Sequence, residues 1–377
     1  MANNPPPYSN ITGISRAAMK DNAQESLANY DGNARPGELV VNLETDPPLL
    51  YVGNNLGQLT QVAGGGGTTW ATLGDKNNAS GPVSIALGTN AGTSQGNTAI
   101  AIGYGTAYSG QSANAIALGF AAGYGNQQAN AIAIGTASGY TTQGISSIAI
   151  GARAGLTSQG NQSVAIGENA GVIQGSTAVA IGQNAGGAVA LQGDDAVAIG
   201  HGAGANTQGT QSVAIGLYAG ETTQGIQSVA IGSTAGQTNQ SANAVAIGTQ
   251  SASNDQGINA VAIGALAGEY TQGANAVAVG FGSGYNTQGL QAVAIGQRAG
   301  EEVQGNSAVA IGAYAGQANQ GDNSIVLNAT GAQLNQTTPN TFTVKPVRGD
   351  STGNLVAGGF VAVYYNPTTG EFAYASS

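Results

Sequence analysis

The stretch Ser163-Val164-Ala165-Ile166-Gly167 decides the fold. Its side chains alternate with a period of two, the period of an extended strand. Val164 and Ile166 share one face of that strand, and Ser163 and Ala165 share the other. Working outward, the same Ser/Ala–Val/Ile–Ala–Ile/Leu/Val–Gly string returns through the middle of the chain. It closes on Gly88, Gly103, Gly119, Gly135, Gly151, Gly167, Gly182, Gly200, Gly216, Gly232, Gly248, Gly264, Gly280, Gly296 and Gly312. A further copy, Ser324-Ile325-Val326-Leu327-Asn328, ends in asparagine, so residues 83–328 hold sixteen copies. Twelve of the fifteen spacings are 16 residues, two are 15 and one is 18, a register too regular for chance.

Two other columns keep step with the first. Ala-Gly follows three and four residues after the motif glycine, as at Ala154-Gly155, Ala170-Gly171 and Ala299-Gly300. Thr-Gln-Gly follows seven to nine residues after it, as at Thr142-Gln143-Gly144, Thr207-Gln208-Gly209 and Thr223-Gln224-Gly225. Each repeat therefore reads as strand, turn, second short segment, turn. Sixteen residues accommodate two strands of about five and two tight turns. A leucine-rich repeat needs 20–29 residues, and no six-residue period supports a triangular coil. The prediction is an all-β, flattened two-sided coil stacked on its own copies. At about 4.8 Å per step, fifteen steps make a rod of roughly 70 Å.

One coil cannot bury its apolar face alone, but a stack can. The expectation is that Val and Ile fill the interior between the two sheets. The Ala/Ser face, small and nearly flat, is expected to pack against copies of the chain. Charges avoid these columns and fall in turns, at Arg153, Glu168, Glu221, Arg298, Glu301 and Glu302.

Composition narrows the function. The 377 residues include 63 glycines, and only 7% are charged, against about 25% in globular chains. Disorder is excluded by a 41% hydrophobic content in strict order. The net charge of −10 speaks against nucleic-acid binding. With no cysteine and a single histidine, His201, neither a metal site nor a cofactor is expected, and no catalytic residues stand out. The protein is read as not an enzyme. The start, Met1-Ala-Asn-Asn-Pro-Pro-Pro7, has no basic or apolar leader region. No run approaches the ~20 apolar residues of a membrane span, so membrane insertion is not expected.

The repeated Ser-Val-Ala-Ile-Gly resembles the head repeat of YadA-like trimeric adhesins. That resemblance covers about 246 of the 377 residues. It implies a left-handed parallel β-roll and a homotrimer with the roll axes side by side. Those adhesins also carry a signal peptide, a coiled-coil stalk and a membrane barrel, and none of the three is read in this sequence. The ends resemble another group. Gly37-Glu-Leu-Val-Val-Asn42 and Leu50-Tyr-Val-Gly53 are similar to a segment near the N-termini of bacteriophage tail-fibre and appendage proteins. Asn323-Ser-Ile-Val-Leu-Asn-Ala-Thr-Gly331, Val344-Lys-Pro-Val-Arg348 and Val363-Tyr-Tyr-Asn-Pro-Thr-Thr-Gly-Glu-Phe-Ala-Tyr374 resemble the ends of viral fibre proteins.

Three regions are expected. Residues 1–67 are a virion-attachment arm and small β unit ending in the Gly64–Gly67 hinge; residues 68–328 are the roll; residues 329–377 are a β cap or tip. In the first, residues 14–30 suit a short helix, and 36–63 suit two strands turning at Asp46-Pro47-Pro48. In the last, a hairpin turns at Asn366-Pro367-Thr368-Thr369-Gly370. Trp70 and residues 329–377 are expected to cap the two ends of the stack, whose edges are otherwise unpaired.

Few residues suggest a site. Tyr108, Tyr124 and Tyr140 each lie five residues after a motif glycine in consecutive coils. They should form a ladder with about 4.8 Å steps, which stabilises a sheet or receives a sugar ring. Asp194-Asp195, in the one 18-residue spacing, reads as an exposed bulge. Paired glycosidase carboxyls must instead face each other across about 5–9.5 Å. Arg348-Gly349-Asp350 spells an integrin-binding tripeptide, a match common by chance. Gln162, Gln211, Gln227 and Asn275, just before the motif, are candidates for amide ladders. The function expected is a fibre of a virus particle, a phage tail fibre or appendage made in the host cytoplasm. It would bind the virion through residues 1–67 and reach a host cell-surface glycan or protein. The alternatives are a capsid-attached decoration fibre and a bacterial cell-surface adhesin.

Overall fold

The computed structural model describes residues 84–187 and 190–347 with their side chains. Outside these it describes the strands 17–19, 39–42, 49–53, 59–63 and 363–366 and residues 370–374. Among the described residues the protein is all-β, with no helix. Its main body is a parallel β-solenoid. Each copy of the motif forms a three-residue strand, as at Val164–Ile166, Val197–Ile199 and Val229–Ile231. Each such strand pairs in parallel, in register, with its copy in the next coil, so that Ala198 lies opposite Ala214 and Ala214 opposite Ala230. A second strand of two or three residues follows in most coils, such as Thr223–Gln224 and Thr238–Gln240. It pairs the same way, Gln224 with Gln240. The strands are shorter than the five residues expected, because two turns, one of about four residues and one of six or seven in most coils, consume the rest of the coil.

The ladder does not stop at the sixteenth motif. Phe342–Lys345 adds another parallel strand beside Ile325–Asn328. Seventeen strands at about 4.8 Å per step give a rod of about 77 Å. Near this end the interior residues grow. Val326 and Leu334 join Ala294, Ala299, Ala310 and Ala315 in one buried cluster.

The faces of the motif strand are the reverse of the expectation. Ala165 is fully buried, as is its counterpart in almost every coil, and so is Ser163. Val164 is half-buried, and Ile166 is 37% exposed. Small residues point in and branched residues point out. The reason is the thickness of the coil. Two columns of alanine methyls, such as Ala149, Ala165, Ala198 and Ala214 on the strand and Ala154, Ala170, Ala203 and Ala219 on the turn, form the core cluster. Sheets that enclose large side chains sit about 10 Å apart, whereas here alanine methyls fill the inward position of the motif strand in every coil but the last, where Val326 takes it. The buried serines keep their hydroxyls bonded, as when Ser228 Oγ donates to Gly225 O at 2.7 Å.

Glutamine fills what the methyls leave. The glutamine of Thr-Gln-Gly points inward in every coil from Gln95 to Gln320, never more than 4% exposed. Gln240 is typical. Its Nε2 donates to Val229 O at 2.8 Å and Ala244 O at 3.4 Å, tying the second strand to the motif strand. It also donates to Gln256 Oε1 at 3.0 Å in the next coil. Burying an amide is costly unless it is bonded, and here the bonds also fasten one sheet to the other.

The turns demand unusual backbone. Gly200 has φ +127, a conformation essentially reserved for glycine, and a Cβ there would lie 2.5 Å from Gly216 O. The glycine of the Ala-Gly pair has a different task. A Cβ on Gly220 would sit 2.7 Å from Gln224 Oε1, so its absence makes space for the buried carboxamide. A further column lies just before the motif and is left-handed without glycine: Asn114, Gln162, Gln211, Gln227, Asn243, Asn259 and Asn275 all have φ between 56 and 60. Asparagine is the non-glycine residue that tolerates this region best.

Away from the rod, Leu39–Asn42 and Leu49–Gly53 pair antiparallel, with Asn42 opposite Leu49. This is the hairpin expected around residues 46–48. Leu59–Ala63 adds a third strand that the two-strand reading of 36–63 missed. Ala17–Met19 is a strand parallel to Leu39–Asn42, which corrects the helix expected over 14–30 at those residues. The C-terminal hairpin forms as expected, with Asn366 opposite Glu371.

Candidate functional site

The tyrosine ladder exists. Tyr108 and Tyr124 stack with ring centroids 5.0 Å apart and planes 11° from parallel; Tyr124 and Tyr140 stack at 4.9 Å and 11°. Parallel in-register coils set this spacing, since the same turn position recurs once per rung. A second stack lies four residues earlier on the same turns, Tyr104 on Phe120 at 5.6 Å and 6°. Both of those rings are more than half exposed, and sequence reading passed over them because only two consecutive coils carry an aromatic there.

A groove opens just beyond the tyrosines along the chain. It encloses about 460 Å³ and is lined by residues of four successive coils, among them Ser94, Gly110, Ser112, Asn126, Gln128 and Thr142. Every lining residue is uncharged.

The other candidates are structural. Asp194 Oδ1 accepts from the Ser176 amide at 2.8 Å. Asn161 and Asp322 do the same for Ile145 and Asn306. Asp194 and Asp195 thus occupy the regular turn column rather than a bulge. Gln192 pairs in register with Gln174, so the two extra residues of that coil fall between Gly182 and Gln192. His201 is exposed and lies against Tyr218, ring centroids 5.1 Å apart. Two of the expected amide contacts form on the surface: Gln227 Nε2 donates to Gln211 Oε1 at 3.1 Å, and Asn259 Nδ2 to Asn275 Oδ1 at 3.1 Å. Arg348-Gly349-Asp350 and Trp70 lie outside the described residues. Among the described residues no group of three or more His, Cys, Asp or Glu side chains is placed to hold a metal ion.

One titratable cluster had no sequence signal beyond its shared turn position. Glu269 is 6% exposed, and burial pushes its carboxyl above the usual carboxylate range, opposed by a hydrogen bond with Tyr285. The Tyr285 phenol is pushed up to about 12, first by its hydrogen bond with Tyr270, then by burial and by Glu269. The two tyrosine rings meet edge to face at 5.2 Å.

The rod is thus a parallel β-solenoid of thin rungs with an alanine–glutamine interior and an apolar outer face. Residues 73–91, 79–106, 192–219 and 241–267 match the family model of the YadA head domain repeat. The repeat of this chain is of the YadA-head type. No curated protein and no solved structure matches the chain.

Proposed function

We propose that the protein is an adhesin-type fibre in which three copies stand side by side, joined through their Val/Ile faces. The observation that carries this is the outward face of the motif strand. Ile150, Ile166, Ile181, Ile199, Ile263, Ile295 and Ile311 are 36–40% exposed at the same position of their coils. The Val or Ile two residues earlier is half-buried throughout. A contiguous apolar strip of this length marks an interaction surface, and a second copy presents the matching strip at the matching step. Three-fold assembly is the arrangement that the YadA-head repeat implies. The partner-facing surface is therefore the branched one, not the Ala/Ser face.

The full chain should sediment at three times the chain mass. Replacing Val229 and Ile231 together by Lys should release monomers that keep the β signature in circular dichroism. A wild-type chain that sediments as a monomer at micromolar concentration would refute the assembly.

Such a fibre would hold a recognition surface away from its anchor. On the similarity of residues 37–53 and 323–374 to viral fibre proteins, we place it on a virus particle, tail or capsid, bound through residues 1–67 and directed at the host surface. Mass spectrometry of purified particles tests this; particles lacking the chain would end it. The YadA-head match favours a second reading, a bacterial cell-surface adhesin, for which immunogold labelling should decorate intact cells. Both readings are of a binding protein without catalysis. Incubation with host capsular polysaccharide should release no reducing ends.

A further inference from the structure

The aromatic residues and the groove lie together at one place on the rod, the first four coils. We infer that they form a binding site for an uncharged, extended oligosaccharide. The inference rests on the adhesive reading above, and it names the class of molecule that the fibre holds.

The ladder alone does not make a platform. Tyr124 has a ring stacked on each side, so both its faces are taken. Tyr108 differs. In the coil before it the same position is Thr93, whose Oγ1 donates to Tyr108 O and which brings no ring to continue the stack. Among the described residues no second ring stacks on Tyr108, and Tyr108 is 42% exposed. An aromatic face of this kind accepts the C–H side of a pyranose ring.

The groove supplies the polar half. Gly110 lines it without a side chain. The residue before the buried glutamine is Ser94, Asn126, Thr142 and Ser158 in neighbouring coils, and glycine only at 110 among the described coils. A Cβ on Gly110 would lie 3.1 Å from Asn126 Oδ1, so a side chain there would enter the notch. Around it Ser94, Ser112, Asn126, Gln128 and Thr142 bring hydroxyls and carboxamides, groups that both donate and accept as sugar hydroxyls do. About 460 Å³ lies within the range of small-ligand sites. The polar groups recur once per coil, at about 4.8 Å, a step close to the length of one sugar ring in an extended chain. The chain carries a net charge of −10 and the lining no cation, which disfavours an acidic glycan.

Native gel electrophoresis through mannan, dextran or hydroxyethyl cellulose, with alginate as the acidic comparison, tests the site on the full-length protein. At least one neutral polymer should retard the protein, and alginate should not. Tyr108→Ala, which removes the open ring, and Gly110→Asn, which fills the notch, should each weaken retardation at least tenfold. Tyr270→Ala, on a distant coil, should leave it unchanged. Tyr108→Ala alters only a half-exposed ring, so it remains informative if Gly110→Asn melts early. No retardation by any of the three neutral polymers overturns the inference, as does retardation by alginate alone or binding that survives both substitutions. Oligomer mass and particle composition are measured separately, so a failure here leaves the fibre reading standing.

Discussion

The glutamines show how much a single side chain does in so thin a coil. Fifteen of them stand in one buried column, from Gln95 to Gln320. Replacing Gln240 by Leu removes its bonds to the carbonyls of Val229 and Ala244 and takes from the buried Gln224 and Gln256 carboxamides the ladder partner that it now provides. Leaving buried polar groups unmet costs about 1–3 kcal/mol each, so Gln240→Leu should lower the chemical-denaturation midpoint clearly, while Gln227→Leu in the exposed turn column should leave it almost unchanged. The Thr-Gln-Gly column was legible in the sequence; its direction was not. Glutamine beside glycine reads as a surface turn, because glutamine is seldom buried. Only its recurrence at every rung, next to a glycine that leaves space for it, marks it as interior. Glu269 yields a pH prediction at the same scale. A carboxyl whose value is raised on folding contributes stability that is fully present below the unfolded value and is lost as pH rises through the folded one. Glu269→Gln should therefore raise the melting temperature at neutral pH, and the difference should vanish below about pH 4.

The motif strand carries one lesson about elements. Its alternation was read correctly from Ser163 to Gly167, and its two sides were assigned the wrong way round. The rule that the more apolar face turns inward presumes an interior deep enough for branched side chains. Here the interior along the alanine column is one methyl deep, and the apolar face is left on the outside, where the proposed assembly would cover it. Ala230→Val should thus destabilise the rod by about 1–3 kcal/mol, even though valine favours strands. Val229→Ala, on the outer side, should keep the coil intact in the monomer and weaken association instead. Thermal melts and sedimentation equilibrium separate the two effects. The aromatic ladder was legible for the same reason that the strand was: a fixed spacing of sixteen residues becomes a fixed distance. The groove beside it was not legible, because it depends on which side chains surround one glycine among many.

For the whole molecule, the coils are interchangeable units. Removing residues 217–232, one complete 16-residue period, joins Gly216 to Ser233 and returns every column to register. The variant should fold, and small-angle scattering should find the rod shorter by about 4.8 Å. Removing eight residues instead sets motif against turn and should abolish the fold. The ends were harder to read. The Ala17–Met19 strand sits in a stretch whose spacing suits a helix, and it is held by pairing with Leu39–Asn42, a partner twenty-two residues away that local propensity does not register.

The buried amides also give the rod an electrical sense. From Gln224 to Gln320 every Nε2 donates to the Oε1 of the glutamine one coil further on, an unbroken run of seven residues. Their dipoles all point the same way, and aligned amide dipoles add, as they do along a helix. The row ends in carboxamide oxygen at Gln224 and in N–H at Gln320. Chains standing parallel reinforce this field, whereas an antiparallel pair would cancel it.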